Sequence, residues 1–202
     1  TDQGIFYEFI PFNEVHMPNP RSLKLSDVSI NETYEIVVTT DSGLWRYRMG
    51  DLVLFTNIKP YRIKVVGRTS HFISAFGEHI IAHEVEIAIK NVIETFSIQI
   101  KDYFVSPNVN KKMYEWIIEA DIPLDLVPEI CSLLDRSLTS QNPYYKNLIE
   151  NQIIQPCTIY LLPNGSFHNY RLKNNKMGEQ NKVVRLSNTS EIAIQLKKNI
   201  NL

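Results

Sequence analysis

Residues 43–51 read Gly-Leu-Trp-Arg-Tyr-Arg-Met-Gly-Asp, and a Gly-Arg pair follows at positions 67 and 68. This pattern places a carboxylate, Asp51, directly after a glycine and a permanent cation, Arg68, 17 residues later. A carboxylate accepts two hydrogen bonds from a ribose diol, and a guanidinium forks onto a phosphate or a ribose edge. An aspartate after glycine is also a common turn residue, and an arginine at a strand end is commonly solvated. Spacing alone leaves both interpretations open.

Composition limits the class of protein. The chain has 202 residues, 44% of them hydrophobic and 21% charged, which is typical of a globular protein with one or two cores. With a net charge of −1, the chain lacks the excess of positive charge that is typical of nucleic-acid-binding proteins, so we expect no nucleic-acid partner. The sequence has no run of about 18 apolar residues, so we expect no membrane span.

Two further observations concern the cellular compartment of the protein and the extent of the chain. Cys131 and Cys157 are too few for a disulfide framework. They are expected to be small buried hydrophobes in a reducing compartment, which predicts the cytoplasm. The first residue is Thr1, and no signal peptide follows it. We therefore expect the chain to be part of a longer polypeptide whose upstream part is a partner in its function.

The first third of the sequence is rich in strand-forming residues. Runs 5–10, 33–40, 52–55 and 61–66 are β-branched and aromatic, and turn signals at 41–43, 50–51 and 59–60 separate them. This predicts an antiparallel meander or part of a barrel. Trp45, Tyr47 and Tyr7 could stack on a base, but aromatic residues on strands usually pack in a core.

The remainder predicts a small α+β domain. Helical periodicity covers 83–96 and 123–138, a short helical piece follows Pro143, and strands are predicted at 103–106, 114–120 and 158–162. Lys173, Lys176, Lys182 and Arg185 would form a basic, solvated loop. The predicted fold class is therefore α+β, with a β-rich segment (1–69) followed by an α+β domain (70–202) that has a short mixed sheet flanked by helices.

Three segments resemble a known family in the order in which that family carries them. Residues 6–11, Phe-Tyr-Glu-Phe-Ile-Pro, are similar to its aromatic-Glu-Phe-Ile-Pro strand, and residues 43–51 to its Gly-Leu-Tyr-Arg-Tyr-Arg-x-Gly-Asp segment. Residues 180–185, Gln-Asn-Lys-Val-Val-Arg, resemble its Gln-x-Lys-Val-Pro-Arg loop. The family is the auxin-responsive-promoter family of acyl-acid amido synthetases, within the acyl-adenylate-forming superfamily. The resemblance implies a large adenylating domain that ends near residue 69 and a mobile C-terminal domain.

The resemblance also assigns roles. Asp51 would bind the ribose hydroxyls of ATP, Arg68 the ribose or phosphate region, and Phe6 would lie near the nucleotide. Lys182 would be catalytic, reaching the substrate carboxylate and the α-phosphate. His79 stands where plant members carry a lysine near the nucleotide.

Residues 67–78 resemble the superfamily element that begins the mobile domain, Gly-Arg-x-Asp-Asp-x-Ile-Lys-x-x-Gly. Gly67, Arg68, Ile73 and Gly77 match it in register. The paired acids of the element are replaced by Ser70 and His71, and its lysine by Ser74. By resemblance, Ser70 would be the hinge. These departures fit the amido synthetases better than the CoA ligases.

The implied chemistry joins a carboxylate to ATP with release of pyrophosphate, and then transfers the acyl group to an amine such as an amino acid. Charge repulsion dominates the first step, so a lysine cation and Mg²⁺ would supply most of the catalysis. Related enzymes carry an upstream Ser/Thr/Gly-rich phosphate loop that this sequence lacks, so we expect weak or absent activity from the chain by itself.

Alternatives stay open. A CoA ligase would share the adenylation step and use a thiol acceptor, and a non-catalytic interaction domain would retain only the fold. His79 and His83, four residues apart with Glu84 and Glu86 nearby, would be a weak zinc pattern because no His-Glu-x-x-His arrangement is present. Substrate identity cannot be derived from these residues.

Overall fold

The computed structural model describes residues 4–15, 17–69, 72–174 and 184–198. The chain forms two compact units, Thr1–Phe72 and Ile73–Leu202. The predicted α+β class is confirmed, because a four-stranded sheet is followed by a mixed sheet with helices. The assignment of 1–69 to an adenylating domain and of 70–202 to a mobile domain stays a prediction.

The first unit is an antiparallel meander of four strands in sequence order. The strands are β1 (Ile5–Pro11), β2 (Thr33–Thr40), β3 (Tyr47–Ile58) and β4 (Tyr61–Arg68). Two short 3₁₀ helices, Phe12–Glu14 and Leu25–Asp27, lie in the connection between β1 and β2. The turn predicted at 41–43 is present, but the turn predicted at 50–51 is wrong, because Gly50 and Asp51 lie inside the long strand β3.

Alternation of side chains gives this sheet two apolar faces. On one face, the rings of Phe9, Tyr34 and Phe55 pack edge to face, with centroids 5.1–6.3 Å apart. On the other face, Ile10, Val15 and Val37 form a smaller buried cluster. Because side chains of a strand point to opposite faces in turn, β1, β2 and β3 bury apolar residues on both sides of the sheet. On β4, Tyr61, Ile63 and Val65 are exposed.

The second unit contains all five α-helices of the described residues. Its elements are β5 (Phe72–Ile73), β6 (Ile80–Ile81), α1 (Ala82–Phe96), β7 (Asp102–Asn108), β8 (Met113–Glu119), α2 (Val127–Gln141), α3 (Pro143–Glu150), β9 (Thr158–Leu162), α4 (Ser166–Lys173) and α5 (Glu191–Lys197). Strands β7 and β8 pair antiparallel, and β8 and β9 pair parallel, so the sheet is mixed as predicted. Leu186 adds a single parallel bridge at Val105.

Both faces of this mixed sheet are covered. Helices α1, α2 and α3 bury their apolar stripes against the face that carries Trp116, and Ile89 and Leu134 belong to this cluster. The opposite face packs Phe104 and Ile117 against α4 and α5, with Leu196 fully buried. The stripe predicted for α1 is confirmed, because its apolar positions three and four residues apart are buried.

Two helical predictions need correction. Helix α2 begins at Val127 rather than at residue 123, because Pro123 is extended and Leu124–Leu126 forms a 3₁₀ turn. Lys173 was predicted to lie in a basic loop, but it lies in the last turn of α4, where a cation is favourable beside the helix C-terminus.

None of the described helices is long and apolar enough to cross a membrane.

Candidate functional site

Asp51 and Arg68 face each other across strands β3 and β4. They are direct partners in the strand register, and Arg68 Nε lies 2.8 Å from Asp51 Oδ1. The Asp51 side chain is 24% exposed and that of Arg68 is 56% exposed, so the pair lies at the protein surface. The two residues singled out by the sequence pattern are therefore brought together on adjacent strands.

Gly50 allows β3 to present Asp51 at this point. Its φ of +73° lies in the left-handed region, and its carbonyl oxygen accepts a hydrogen bond of 2.7 Å from the backbone N–H of Thr69. Arg48 pairs with Val37 and Leu52 with Glu35, so residues 49–51 stand opposite a single residue of β2. A bulge of this kind bends a strand and redirects its side chains. The glycine thus serves a strand bulge rather than the predicted turn.

Sequence reasoning missed a row of ion pairs beside this bulge. Arg46 Nε lies 3.1 Å from Glu8 Oε2, and Arg48 Nε lies 2.9 Å from an oxygen of Glu35, which is almost fully buried. The second Arg48 amine donates to the Val15 carbonyl oxygen at 2.8 Å and also contacts Glu35. Arg48 lies on β3, whereas Arg46 lies just before it with a φ of +45°, so the Arg-x-Arg spacing alone does not indicate which acids the two arginines contact.

Phe6 and two neighbouring aromatic residues are exposed. The Phe6 side chain on β1 is 54% exposed, and Trp45 is 82% exposed. Tyr47 is exposed as well, whereas Tyr7 packs against the aromatic core. The expectation that strand aromatics pack in a core is therefore wrong for Trp45 and Tyr47, because they lie at the turn end of the β2–β3 hairpin.

His79 lies in the second unit, just before β6 and α1. Its backbone has a φ of +52°, and its ring nitrogen Nδ1 lies 3.0 Å from the Gly77 carbonyl oxygen. The fully buried Glu78 carboxylate accepts hydrogen bonds from the backbone N–H groups of Ala75 (3.1 Å) and Phe76 (2.9 Å). Burial raises the pKa of Glu78. Glu78 therefore closes the loop that presents His79.

Glu84 and Asn142 connect the starts of two helices. Glu84 accepts from the Ile81 N–H at 2.9 Å at the beginning of α1. Asn142 donates to Glu84 at 3.3 Å and accepts from the Tyr145 N–H at 2.9 Å, which caps α3. Burial raises the pKa of Glu84 to about 7, against the opposing effect of its hydrogen bonds with Ile81 and Asn142.

Two predicted site residues, Ser70 and Lys182, lie outside the described residues, as does His71. The expected roles of Ser70 as a hinge and of Lys182 as the catalytic cation therefore stay predictions.

Across residues 4–15, 17–69, 72–174 and 184–198, no three His, Cys, Asp or Glu side chains are grouped as metal ligands. Arg185, predicted as a solvated charge, stacks over the Tyr103 ring at 4.8 Å and lies 3.9 Å from Glu86.

The Asp51–Arg68 pair has hydrogen-bonding capacity left for a ligand. Within the part of the chain that the structure describes, their contact uses one aspartate oxygen and the guanidinium Nε. The second carboxylate oxygen can accept from a hydroxyl, and the two terminal guanidinium amines can donate to an anion. A ligand with a diol and a nearby phosphate matches this donor and acceptor set.

Comparison with known families covers most of the chain. Residues 1–68 match the model described as the GH3 family central domain, and residues 83–191 match the GH3 family C-terminal domain. The second match alone includes more than half of the chain.

Individual relatives agree with this result. The chain is 28% identical to the indole-3-acetic acid-amido synthetase GH3.3 of Arabidopsis thaliana, over 80% of this chain and 29% of that protein. It is 25% identical to the jasmonoyl–L-amino acid synthetase JAR4 of Nicotiana attenuata, over 81% of this chain and 30% of that protein. Its fold matches that of the GH3.15 acyl acid amido synthetase with a TM-score of 0.68 and 23% sequence identity. The match covers 96% of this chain and 37% of that one. The chain thus spans about a third of the length of these relatives, and it belongs to the GH3 family.

Proposed function

We propose that the chain is the central and C-terminal part of an ATP-dependent acyl-acid amido synthetase. In this proposal the parent protein forms an acyl-adenylate from a carboxylic acid and ATP and then transfers the acyl group to an amine such as an amino acid. The observation that carries the proposal is the Asp51–Arg68 pair, which lies at the surface on adjacent strands in a chain of the GH3 family.

Asp51 would hold the ribose of ATP. Its second carboxylate oxygen accepts hydrogen bonds from the ribose hydroxyls, while Arg68 keeps the carboxylate oriented through Nε and directs its outer amines to the ribose or phosphate edge. The bulge at Gly50 and the contact of Arg48 with the buried Glu35 hold this part of β3 in place. Rigid support of this kind lowers the ordering cost of ligand binding.

Lys182 would stabilise the transition state of adenylation. The reaction brings a carboxylate against the α-phosphate and expels pyrophosphate, so a compact cation beside both groups opposes their repulsion. Mg²⁺ bound to the phosphates would neutralise the charge of the leaving group. Asp51 and Arg68 suit the nucleoside end of ATP and present no carboxylate pair for the metal, so the ion would be held mainly by the phosphates.

We propose an amine as the acyl acceptor because the chain belongs to the GH3 family. The relatives are named for amido products of indole-3-acetic acid and for jasmonoyl amino acids, so a small carboxylic acid and an amino acid are the proposed substrate classes. A CoA ligase would share the adenylation step, and supplying the parent with CoA or with an amino-acid panel separates the two. Product formation with CoA and with no amine would replace the amido synthetase proposal.

Steady-state kinetics of pyrophosphate release in the parent protein tests the site. Lys182→Ala is expected to lower kcat about a hundredfold, equal to about 3 kcal/mol, because the lost contact is made in the transition state. Lys173→Ala, an exposed lysine on α4, is the matched control and should leave kcat unchanged. Equal rates for Lys182→Ala and wild type would favour a non-catalytic interaction domain.

The nucleotide role of Asp51 has its own measurement. Asp51→Asn is expected to raise the KM for ATP about tenfold with a smaller change in kcat, because a ribose contact is present in both ground and transition states. Asp41→Asn, in the exposed turn between β2 and β3, is the control. An unchanged KM for ATP in Asp51→Asn would remove Asp51 from the nucleotide site while leaving the Lys182 result standing.

A further inference from the structure

The two cysteines of the chain are neighbours in the second unit, although they are 26 positions apart in sequence. Cys131 lies on α2, and Cys157 lies directly before β9. Both are free thiols, and the Cys157 Sγ donates to the Cys131 carbonyl oxygen at 3.5 Å. The Cys157 sulfur therefore lies against the backbone of Cys131.

Asp135 fixes this arrangement. It lies one helical turn after Cys131 on α2, and its Oδ2 accepts the backbone N–H of Cys157 at 2.9 Å. Its Oδ1 accepts the hydroxyl of the fully buried Tyr145 at 2.6 Å. The segment just before β9 is therefore tied to α2 beside Cys131.

The two thiols differ in access. Cys131 lines a cavity of about 430 Å³ between α2, α3 and the segment before β9, together with Ser132, Lys146 and Pro156. Cys157 is buried and is not part of the cavity wall. A reagent that enters the cavity would therefore meet Cys131 first.

The two thiols also differ in acidity. The hydrogen bond with Cys157 lowers the pKa of the Cys131 thiol, although burial and the Asp135 charge act in the opposite direction. The same interaction, with burial and Asp135, raises the pKa of Cys157. The thiolate is the nucleophilic form of cysteine, so the accessible thiol is also the one that ionises more readily.

We propose that Cys131 and Cys157 are a reversible dithiol–disulfide pair, in which Cys131 reacts first with a small-molecule disulfide in the cavity and Cys157 then completes an internal bridge. The contact of Cys157 Sγ with the Cys131 carbonyl and the Asp135 link between α2 and Cys157 keep the two residues close for this exchange.

The chemistry is ordinary thiol–disulfide exchange. The Cys131 thiolate attacks one sulfur of the reagent, the reagent S–S bond breaks, and one reagent thiol leaves with the electron pair and a proton. The Cys157 thiol then loses its proton and attacks the Cys131 sulfur, which expels the second reagent thiol. Two protein thiols are oxidised and one reagent disulfide is reduced to two thiols.

Oxidised glutathione added to the reduced 202-residue chain tests the proposal. Intact-mass and peptide mass spectrometry should show loss of two hydrogens, a cross-linked peptide pair containing Cys131 and Cys157, and no thiol open to alkylation. At early times, glutathione should be attached to Cys131 and absent from Cys157. A wild-type chain that keeps glutathione without forming the internal bridge would overturn the proposal.

Two variants separate the roles. Cys157→Ala should accumulate one glutathione on Cys131, because no second thiol can displace it. In Cys131→Ala, Cys157 should react at least tenfold more slowly, because burial keeps the reagent away. In urea, both variants should react at similar rates, which shows that the difference comes from the fold. Equal rates for the two folded variants would contradict the assignment of Cys131 as the first site, whatever the outcome for the proposed ligase activity.

Discussion

Glu84 is a residue whose charge state should change near neutral pH. Its pKa is about 7 in the folded chain, against an ordinary value of 4.5. Between these values the folded state binds a proton that the unfolded state has lost, so the free energy of unfolding falls as pH rises. At about 1.4 kcal/mol per pH unit, this group removes up to about 3 kcal/mol between pH 4.5 and neutral pH.

The variant Glu84→Gln should remove this part of the pH dependence. Glutamine keeps the oxygen that caps the Ile81 N–H, resembles the protonated acid, and does not ionise. Urea unfolding at a series of pH values should therefore give a flatter profile than wild type. Glu94→Gln, an exposed position on the same helix, is the control and should follow the wild-type profile. Parallel profiles for Glu84→Gln and wild type would show that the Glu84 carboxyl ionises normally.

At the scale of single elements, helix α4 depends on an acid from the neighbouring strand. Gly165 precedes the helix in a left-handed conformation and supplies no capping side chain. The buried Glu119 at the end of β8 takes that role, because its two oxygens accept the backbone N–H groups of Gly165 (2.8 Å) and Phe167 (2.9 Å). The helix start is thus satisfied from a distant part of the sequence.

Replacing this acid should cost more than replacing an exposed one. Glu119→Ala leaves two N–H groups without their acceptor and is expected to lower the free energy of unfolding by about 2 kcal/mol. Glu129→Ala, exposed in the first turn of α2, should change it by about 0.5 kcal/mol or less. Urea unfolding monitored by circular dichroism measures both. Equal losses in the two variants would show that the Glu119 contacts contribute nothing specific to α4.

Prediction from sequence succeeded for elements with a strong local pattern. The strand at 158–162 and the buried stripe of α1 follow directly from residue type and period. Helix α4 was missed because its capping acid, Glu119, lies 46 residues away. The strand position of Asp51 was missed because glycine before aspartate favours a turn locally, whereas the pairing of β3 with β2 and β4 decides the structure.

For the candidate site, too, some residues were predictable from sequence and others were not. The spacing of Asp51 and Arg68 selected two residues that are in contact. The partners of Arg46 and Arg48 were missed, because Glu8 and Glu35 come from strands that only the folded sheet brings next to them. The sequence motif identified the candidate binding residues Asp51 and Arg68, while the contacts that support this part of the sheet depend on tertiary packing.

At the scale of the whole molecule, each hydrophobic cluster draws its residues from one compact unit. Phe55→Ala should therefore lower the stability of the first unit by about 3–5 kcal/mol. Leu134→Ala should lower that of the second by about 2–5 kcal/mol. Hydrogen exchange followed by mass spectrometry should show faster exchange in the altered unit only. Faster exchange throughout the chain after either change would show that the two cores unfold together.

The bulge at Gly50 also limits which variants of this protein can be selected in the laboratory. A methyl group at position 50 would lie 3.2 Å from the Thr69 hydroxyl and would require the left-handed backbone that other residues rarely adopt. A directed-evolution library over residues 43–51 should therefore keep this codon constant and randomise the exposed aromatic residues of the same segment, Trp45 and Tyr47.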